Sequence, residues 1–312
     1  MSTWTTAPAA PCRPPAGPSP DFAEAAAAIE HEHAVVPLLD LFDTDPQGLH
    51  AAVRTGGLRA SLGLFTPNAR FSARAAALTG VQEGDRVILE GRVCRPATPS
   101  DVTLIAVDTG EQTRLALLSH SLPGVHVHGT PDAGRESGHL VVEKASLPLT
   151  ALSRPVSWDG EGQLVTVLDA FSRQFARHAA GFAVRLIGDL RRVLAATGEG
   201  KEALSTSQYT SHEISRLEIE ATLASAAAAR GAGPQDGAGG GQAVTAVLLA
   251  CLDVLRRGTD LAGDLCGELG LPPVAGFDPS ASAAARTFFG GRRMVEGELA
   301  HRMGLTAEAA GR

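Results

Sequence analysis

Two pairs of histidines are the residues whose spacing first suggests chemistry. His31 and His33 lie two residues apart in a segment with helical periodicity, and His126 and His128 alternate so that both side chains point to one face of a strand. Imidazole groups bind zinc, but a zinc site needs three or four ligands. The sequence signals no third ligand close to either pair. We therefore interpret them as surface histidines and predict no metal site.

An arginine cluster near the end of the chain is formed by Arg286, Arg292 and Arg293. A guanidinium group can bind a phosphate through two parallel hydrogen bonds, so the cluster is a candidate site for a phosphorylated ligand. Arginines on a helix surface more often face solvent or pair with acidic residues across a subunit contact. We favour this second interpretation and keep the phosphate site as the alternative.

Composition and charge limit the partners that the chain can bind. Its 312 residues are 44% apolar and carry a formal net charge of -7 without any block of Lys and Arg. A globular protein of this kind has no electrostatic footprint for nucleic acid or for an anionic membrane surface. No stretch approaches the roughly 20 consecutive apolar residues of a membrane span. We expect a cytoplasmic protein that binds neither nucleic acid nor membrane.

The four cysteines, Cys12, Cys94, Cys251 and Cys266, lie far apart in the sequence. No two of them form a C-x-x-C pair, so neither a disulfide framework nor a structural zinc site is indicated. Reduced, buried thiols are the expected state.

The first 60 residues predict a leader followed by a short helical part. Residues 1–20 are rich in Pro, Ala and Ser and lack an apolar segment, which indicates a disordered leader rather than a signal peptide. Residues 21–60 show helical spacing after Asp21, a suitable N-cap, and Pro37 is expected to interrupt the first helix. A second short helix is predicted from Pro46 to Leu58.

The rest of the chain divides into a sheet and a helical part, which together predict an α+β fold. Residues 61–150 form short apolar segments separated by Gly, Pro and Asp, as in a compact β-domain. Residues 151–312 predict a helical bundle with a flexible connector at 231–241. Apolar stripes from Leu164 to Leu194 and from Val244 to Leu255 offer more surface than one chain needs to bury, so we expect a homo-oligomer.

This order of elements, together with several local strings, resembles the acyl-CoA dehydrogenase family. Leu122-Pro-Gly-Val-His-Val is similar to a Pro-Gly-Val turn of that family, and the strand from Leu140 to Pro148 resembles the one that leads into its bundle. Both strings occur in the expected order and at the expected separation. The resemblance covers about residues 60 to 305 and implies a short N-terminal helical part, a central β-barrel-like domain and a C-terminal four-helix bundle.

The resemblance implies FAD as the cofactor and assigns four residues to it. The segment from Leu64 to Ser72 is similar to the family's Thr-Glu-Pro-x-x-Gly-Ser-Asp loop, in which backbone and hydroxyl groups contact the flavin. Thr66 and Ser72 match its hydroxyl positions, Thr98 falls where an aromatic-Ile-Thr string is expected, and Gln208 keeps the register of a glutamine in the bundle. The Glu, Gly and Asp of the loop and an Arg-x-x-Phe string of the bundle are absent.

The resemblance also implies a catalytic base. Acyl-CoA dehydrogenation removes a proton α to a thioester carbonyl while a hydride passes to the flavin, so it needs a carboxylate in an apolar pocket that raises its basicity. The family often supplies this base from a Glu-Gly-Thr string after an Arg-rich segment. The segment from Arg286 to Glu298 resembles that region and places Glu296 and Gly297 in the matching positions. Glu296 is the candidate base, and a capping or solvated glutamate is the alternative.

Three functions remain open on these residues. The first is a flavoenzyme that oxidises an acyl thioester of CoA or of an acyl carrier protein, in lipid or secondary metabolism. The second is a partner subunit that forms a hetero-oligomer with a related full-length protein. The third is a protein that has lost flavin and binds an acyl ligand or catalyses a non-redox step. The absent cofactor strings favour the second and third, whereas Glu296-Gly297 and the β-domain favour the first, which we adopt.

Overall fold

The computed structural model describes residues 22–64, 76, 78–94, 100–128, 139–158, 162–196, 208–230, 240–269, 281 and 292–303. The described chain begins with a helical run in which α1 spans Phe22–Glu30, a π-helical turn spans His31–Val35 and α2 spans Val36–Leu38. A 3-10 turn at Leu39–Leu41 ends this run, and α3 spans Leu49–Arg54.

Pro37 does not interrupt the first helical run, contrary to the sequence expectation. It lies in the first turn of α2, directly after the π-helical turn, where a missing N–H group is tolerated. α3 is shorter than the predicted segment from Pro46 to Leu58. The reason is that Gly48 precedes it and Gly56 follows it with φ angles of 69° and 74°, and glycine in this left-handed region ends helical geometry.

Within the residues that the structure describes, seven strands form one mixed sheet. They are Ala60–Gly63 (β1), Leu78–Glu83 (β2), Arg86–Cys94 (β3), Val102–Asp108 (β4), Thr113–Ser119 (β5), Val125–His128 (β6) and His139–Pro148 (β7). The strand order is β1-β4-β2-β3-β7-β6, and β5 also pairs with β4. β4 runs parallel to β1 and to the start of β2, whereas the other pairs are antiparallel.

β4 is buried on both faces and separates two apolar cores. Val102 and Leu104 point into the core that the sheet shares with the helices, and Ile105 and Val107 point into a core formed by strands β2 to β7. A strand buried on both faces shows a continuous apolar run instead of an alternation, as β4 does. The sheet therefore surrounds a core of its own on one face and is covered by helices on the other.

Four helices follow the sheet in the described part of the chain: α4 (Gln163–Ala196), α5 (Gln208–Arg230), α6 (Gly240–Leu269) and α7 (Arg292–Arg302). α4 packs against α5, α6 and the N-terminal α1, α5 also packs against α6, and α7 packs against α6. No helix of the described residues is long and apolar enough to cross a membrane. The mixed sheet and the helices confirm the predicted α+β class.

The apolar stripes of α4 and α6 are buried by packing within the chain. The buried side chains include the ends of both stripes: Leu164, Leu194, Val244 and Leu255. These stripes form the core of one chain, so they do not support the expected homo-oligomer. Ile219 and Leu223 of α5 are 61% and 65% exposed and are one apolar surface that remains available for a partner.

Gly63, the last residue of β1, is closely surrounded by side chains of neighbouring strands. A Cβ atom at this position would lie 2.5 Å from Val93 Cγ1 and 2.8 Å from Thr103 Cγ2. Both side chains are branched and closely packed, so they cannot move aside freely. We expect Gly63→Ala to lower the free energy of unfolding by about 1–3 kcal/mol in urea denaturation.

A matched control is Gly188→Ala on α4, because Gly188 is exposed and has nothing within 4 Å of the added Cβ. In a helix interior alanine is more favourable than glycine, so this control should keep or raise the stability. Equal losses in both variants would contradict the tight packing at Gly63.

Candidate functional site

The structure describes the side chain of one of the five predicted site residues. Thr66, Ser72 and Thr98 lie outside the described residues, and only the backbone of Gln208, the first residue of α5, is described. Glu296 lies on α7 with an exposed side chain. The convergence of these five residues on one site therefore stays a prediction.

β1 leads into the segment that carries Thr66, and helix side chains fix its outer edge. One edge of β1 pairs with β4. On the other edge, the Leu62 N–H group donates to Oε1 of Glu30, and the Ala60 N–H group donates to Nδ1 of His31 at 3.3 Å. Unpaired N–H groups at a strand edge would otherwise need water or another strand. The junction of α1 and the π-helical turn thus fixes the approach to the candidate flavin segment.

Glu30 is absent from the sequence candidates, although the pattern contains a signal for it. It lies on the apolar stripe of the first helical run, four residues after Ala26 and four before Ala34, both of which are buried. Acidic residues are rarely found at such core positions without a partner. A glutamate within this apolar stripe was therefore the sequence signal for a partly buried carboxyl group with a partner elsewhere in the fold.

Burial raises the pKa of the Glu30 carboxyl from 4.5 to about 8, and the hydrogen bond from Leu62 opposes this shift. At neutral pH the folded chain therefore holds Glu30 protonated, whereas the unfolded chain holds it ionised. The proton is bound more tightly in the folded state. The protonated Glu30 carboxyl therefore contributes to the stability of the fold. This contribution is complete below about pH 4.5 and is lost as the pH rises through about 8.

The substitution Glu30→Gln tests this linkage, because glutamine keeps a carbonyl acceptor for Leu62 and cannot ionise. Between pH 5 and 8, we expect the unfolding free energy of the wild-type chain to fall relative to Glu30→Gln by up to about 1.4 kcal/mol per pH unit. Urea denaturation of both chains at several pH values measures the difference. A difference that stays constant with pH would contradict a buried, neutral Glu30.

A chain of hydroxyl groups ties the residues after Thr98 to the sheet. Ser61 Oγ lies 2.9 Å from Ser100 Oγ and 3.0 Å from Thr103 Oγ1, and Thr103 Oγ1 lies 2.8 Å from Nε2 of His120. Ser61 and Thr103 are buried, and these contacts satisfy their hydroxyl groups. The network therefore fixes Ser100, two residues after Thr98, at the start of β4.

The two candidate flavin segments are attached at different ends of the sheet. Because β1 and β4 run parallel, Leu64, after the last residue of β1, and Ser100, before the first residue of β4, lie at opposite ends of this pair.

One histidine of each pair has a structural contact. His31 accepts a hydrogen bond from Ala60, and His128 of β6 stacks on His139 of β7 with ring centroids 5.2 Å apart. Within the residues that the structure describes, no group of three His, Cys, Asp or Glu side chains is arranged to hold a metal ion. His31 and His128 thus cap a strand edge and pack across strands, respectively.

The cysteines with described side chains are free thiols. Cys251 is buried, Cys266 is half-buried, and neither forms a disulfide. Burial raises the pKa of the Cys251 thiol to about 12. Since the thiolate is the reactive form, Cys251 is not a candidate nucleophile at neutral pH.

Solved structures share this architecture. Butyryl-CoA dehydrogenase from Megasphaera elsdenii matches with a TM-score of 0.69 and 17% identity over 94% of this chain and 79% of that chain. The prolyl acyl carrier protein oxidase AnaB matches with a TM-score of 0.69 and 17% identity over 92% and 80% of the two chains. PigA with FAD and proline matches with a TM-score of 0.71 and 18% identity over 92% and 79%.

The chain therefore has an acyl-CoA dehydrogenase-like fold, as the resemblance implies. No protein-family model matches the sequence, and no curated protein sequence is significantly similar to it. The likeness is thus one of three-dimensional structure at low sequence identity, and it defines the fold and not the reaction.

Proposed function

We propose that the chain is a flavin-dependent dehydrogenase that oxidises an acyl thioester carried by CoA or by an acyl carrier protein. The observation that supports this most is the fold shared over 92% or more of the chain with butyryl-CoA dehydrogenase and with the prolyl acyl carrier protein oxidase AnaB. The name of the first contains CoA, and the name of the second contains an acyl carrier protein. A role in lipid or secondary metabolism is consistent with either carrier.

FAD is the cofactor that this function requires, and one similar structure, PigA, was solved with FAD. The candidate residues Thr66, Ser72, Thr98 and Gln208 supply hydroxyl and amide groups, which both donate and accept hydrogen bonds. This donor set fits the polar edge of a flavin ring, which presents carbonyl acceptors and an N–H donor. When bound, FAD supplies the acceptor for the substrate hydride.

Glu296 is the proposed catalytic base. Its side chain is exposed on α7, so in this proposal the bound flavin and acyl group complete the apolar pocket that such a base needs. In the proposed step, Glu296 takes the proton from the carbon α to the thioester carbonyl. The electron pair of that C–H bond would then form the Cα–Cβ double bond, and bound FAD would supply the acceptor for the hydride of the β-carbon.

A partner subunit without activity of its own is the second candidate function. It is favoured by the absence of the Glu, Gly and Asp of the flavin-loop pattern from the segment that contains Thr66 and Ser72. Ile219 and Leu223, one helical turn apart on α5, offer an exposed apolar contact for a second chain. In the dehydrogenase we assign this contact to a homo-oligomer, and in the alternative to a hetero-oligomer with a related full-length subunit.

Cofactor content distinguishes the two functions. After incubation with FAD and desalting, the dehydrogenase should retain flavin in stoichiometric amount, measured by absorbance at the flavin band. Thr66→Ala should weaken FAD retention by roughly tenfold through the loss of a hydroxyl hydrogen bond. The control Ser215→Ala, on the exposed surface of α5, should retain FAD as the wild type does. A chain that takes up no FAD would favour the partner function.

Turnover of acyl thioesters tests the base. Glu296→Gln should lower kcat by roughly 100-fold or more, because the amide cannot accept the α-proton, and should leave the bound flavin spectrum unchanged. Glu32→Gln, at an exposed position of the π-helical turn, is the matched control and should keep wild-type turnover. Wild-type turnover of Glu296→Gln would exclude Glu296 as the base.

A further inference from the structure

A partly buried ion cluster joins α4 and α7. Arg302 of α7 contacts Asp169 of α4 twice, with Nη2 at 3.0 Å from Oδ1 and Nη1 at 3.2 Å from Oδ2. Its Nε group donates to Glu298 Oε1, one turn earlier in α7, at 2.7 Å. The side chains of Arg302 and Asp169 are each 17% exposed. Two-point contact of a guanidinium group with a carboxylate is strong and fixes their relative orientation.

Gly241, in the first turn of α6, makes room for this guanidinium group. A Cβ atom at position 241 would overlap Nη1 of Arg302 and would lie 3.2 Å from its Cζ and 2.9 Å from Oδ2 of Asp169. The guanidinium group therefore lies directly against the backbone of α6. Three helices meet at this cluster, and a side chain at position 241 would displace Arg302.

The electrostatics of the cluster hold Arg302 in its charged form. Burial works against the charge, but hydrogen bonds and attraction from Asp169 and then Glu298 outweigh it, so the pKa of Arg302 is raised. Removing one partner would leave the other charge partly buried and uncompensated. The cluster is thus a strong constraint on the position of α7.

α7 is a short helix that packs mainly against α6 in the part of the chain that the structure describes. It is eleven residues long, which is below the roughly 12–15 residues at which an isolated helix becomes marginally stable in water. Among the α7 side chains that the structure describes, Val295 is the buried one, and it belongs to the helical core. Glu296 follows Val295 directly. A shift or rotation of α7 therefore moves Glu296.

We propose that Arg302, bound to Asp169 and lying against Gly241, is the positioning residue that fixes α7 and with it Glu296. The catalytic meaning of this role rests on the proposed function, in which Glu296 is the base. Arg302 contacts no reacting atom and acts through the helix to which it belongs. The mechanical part, that this cluster fixes α7, is independent of any activity.

Hydrogen–deuterium exchange of the full chain tests the mechanical part. Gly241→Ala should speed the exchange of α7 amides by roughly tenfold or more relative to α4, although alanine is normally the better helix former. Asp169→Asn, which removes the charge at nearly constant volume, should act in the same direction. The control Gly267→Ala, on the same helix with nothing within 4 Å of the added Cβ, should leave α7 exchange unchanged. Unchanged α7 exchange in Gly241→Ala would overturn the proposal.

A double variant separates the effect on Arg302 from general damage to α6. Lysine at position 302 lacks the Nη1 atom that the new Cβ would overlap. If Gly241→Ala acts through Arg302, the double variant Gly241→Ala/Arg302→Lys should raise the free energy lost by α7 in hydrogen–deuterium exchange by less than the sum of the two single variants. Additive effects would overturn the assignment.

Kinetics connect the cluster to Glu296. Gly241→Ala should lower kcat while KM and FAD content stay near wild type, and it should not lower the residual kcat of Glu296→Gln further. If Glu296→Gln is inactive but Gly241→Ala keeps the kcat of the wild type, the positioning role is overturned. Wild-type turnover of Glu296→Gln would overturn the catalytic part together with the base, while the exchange measurement still decides whether the cluster holds α7.

Discussion

The burial of β4 on both faces is the constraint on which the rest of the structure depends. One face of this strand contributes to the core of the sheet and the other to the core shared with the helices. Such a strand needs apolar side chains at successive positions, and its polar side chains need internal partners. Thr103 meets this need through Ser61 and His120. The helices and the sheet are therefore packed around one shared strand.

The N-terminal helical run makes polar contacts with the edge of the sheet and apolar contacts with the bundle. Glu30 and His31 satisfy backbone groups of β1, while Phe22 packs with Phe175 and Phe182 of α4 at centroid distances of 6.1 and 5.0 Å. The same short helical run thus caps the strand and packs on the bundle. The cost is a carboxyl group held neutral at physiological pH, which links the stability of this junction to protonation.

Periodicity was sufficient to predict elements whose pattern is local. The apolar stripe predicted from Leu164 to Leu194 lies on α4, Gln163–Ala196, and was visible in the sequence because it persists over many turns. Strand segments such as Val102–Asp108 were recognisable because they are short, apolar and bounded by turn residues. The α+β class followed from these two kinds of local pattern.

Contacts between distant residues could not be predicted in this way. Nothing in the spacing indicates that β1 pairs with β4 in parallel, or that Asp169 binds Arg302 across 133 residues of sequence. Glu30 is similar, because its partner on β1 is not visible from its own helix. Thr66, Ser72, Thr98, Gln208 and Glu296 were assigned by resemblance to a family, and their functional roles remain predictions.

Two glutamates differ in environment, and the difference matters for the proposed chemistry. Glu30 lies at the junction of α1 and β1, where desolvation raises the pKa of its carboxyl, whereas Glu296 is exposed on a short helix. A base that takes a proton from carbon must be ionised and accessible to the substrate. The position of Glu296 relative to a substrate depends on where α7 is held, which gives the ion cluster of Arg302 its importance.

The most direct test of flavin-dependent thioester oxidation is an anaerobic titration of the FAD-loaded chain with acyl thioesters of CoA and of an acyl carrier protein, followed at the flavin absorption band. The proposed function predicts that at least one acyl thioester bleaches the band in a stoichiometric manner, because the substrate hydride reduces the flavin. A flavin band that no thioester bleaches, or a chain that binds no FAD, would contradict it.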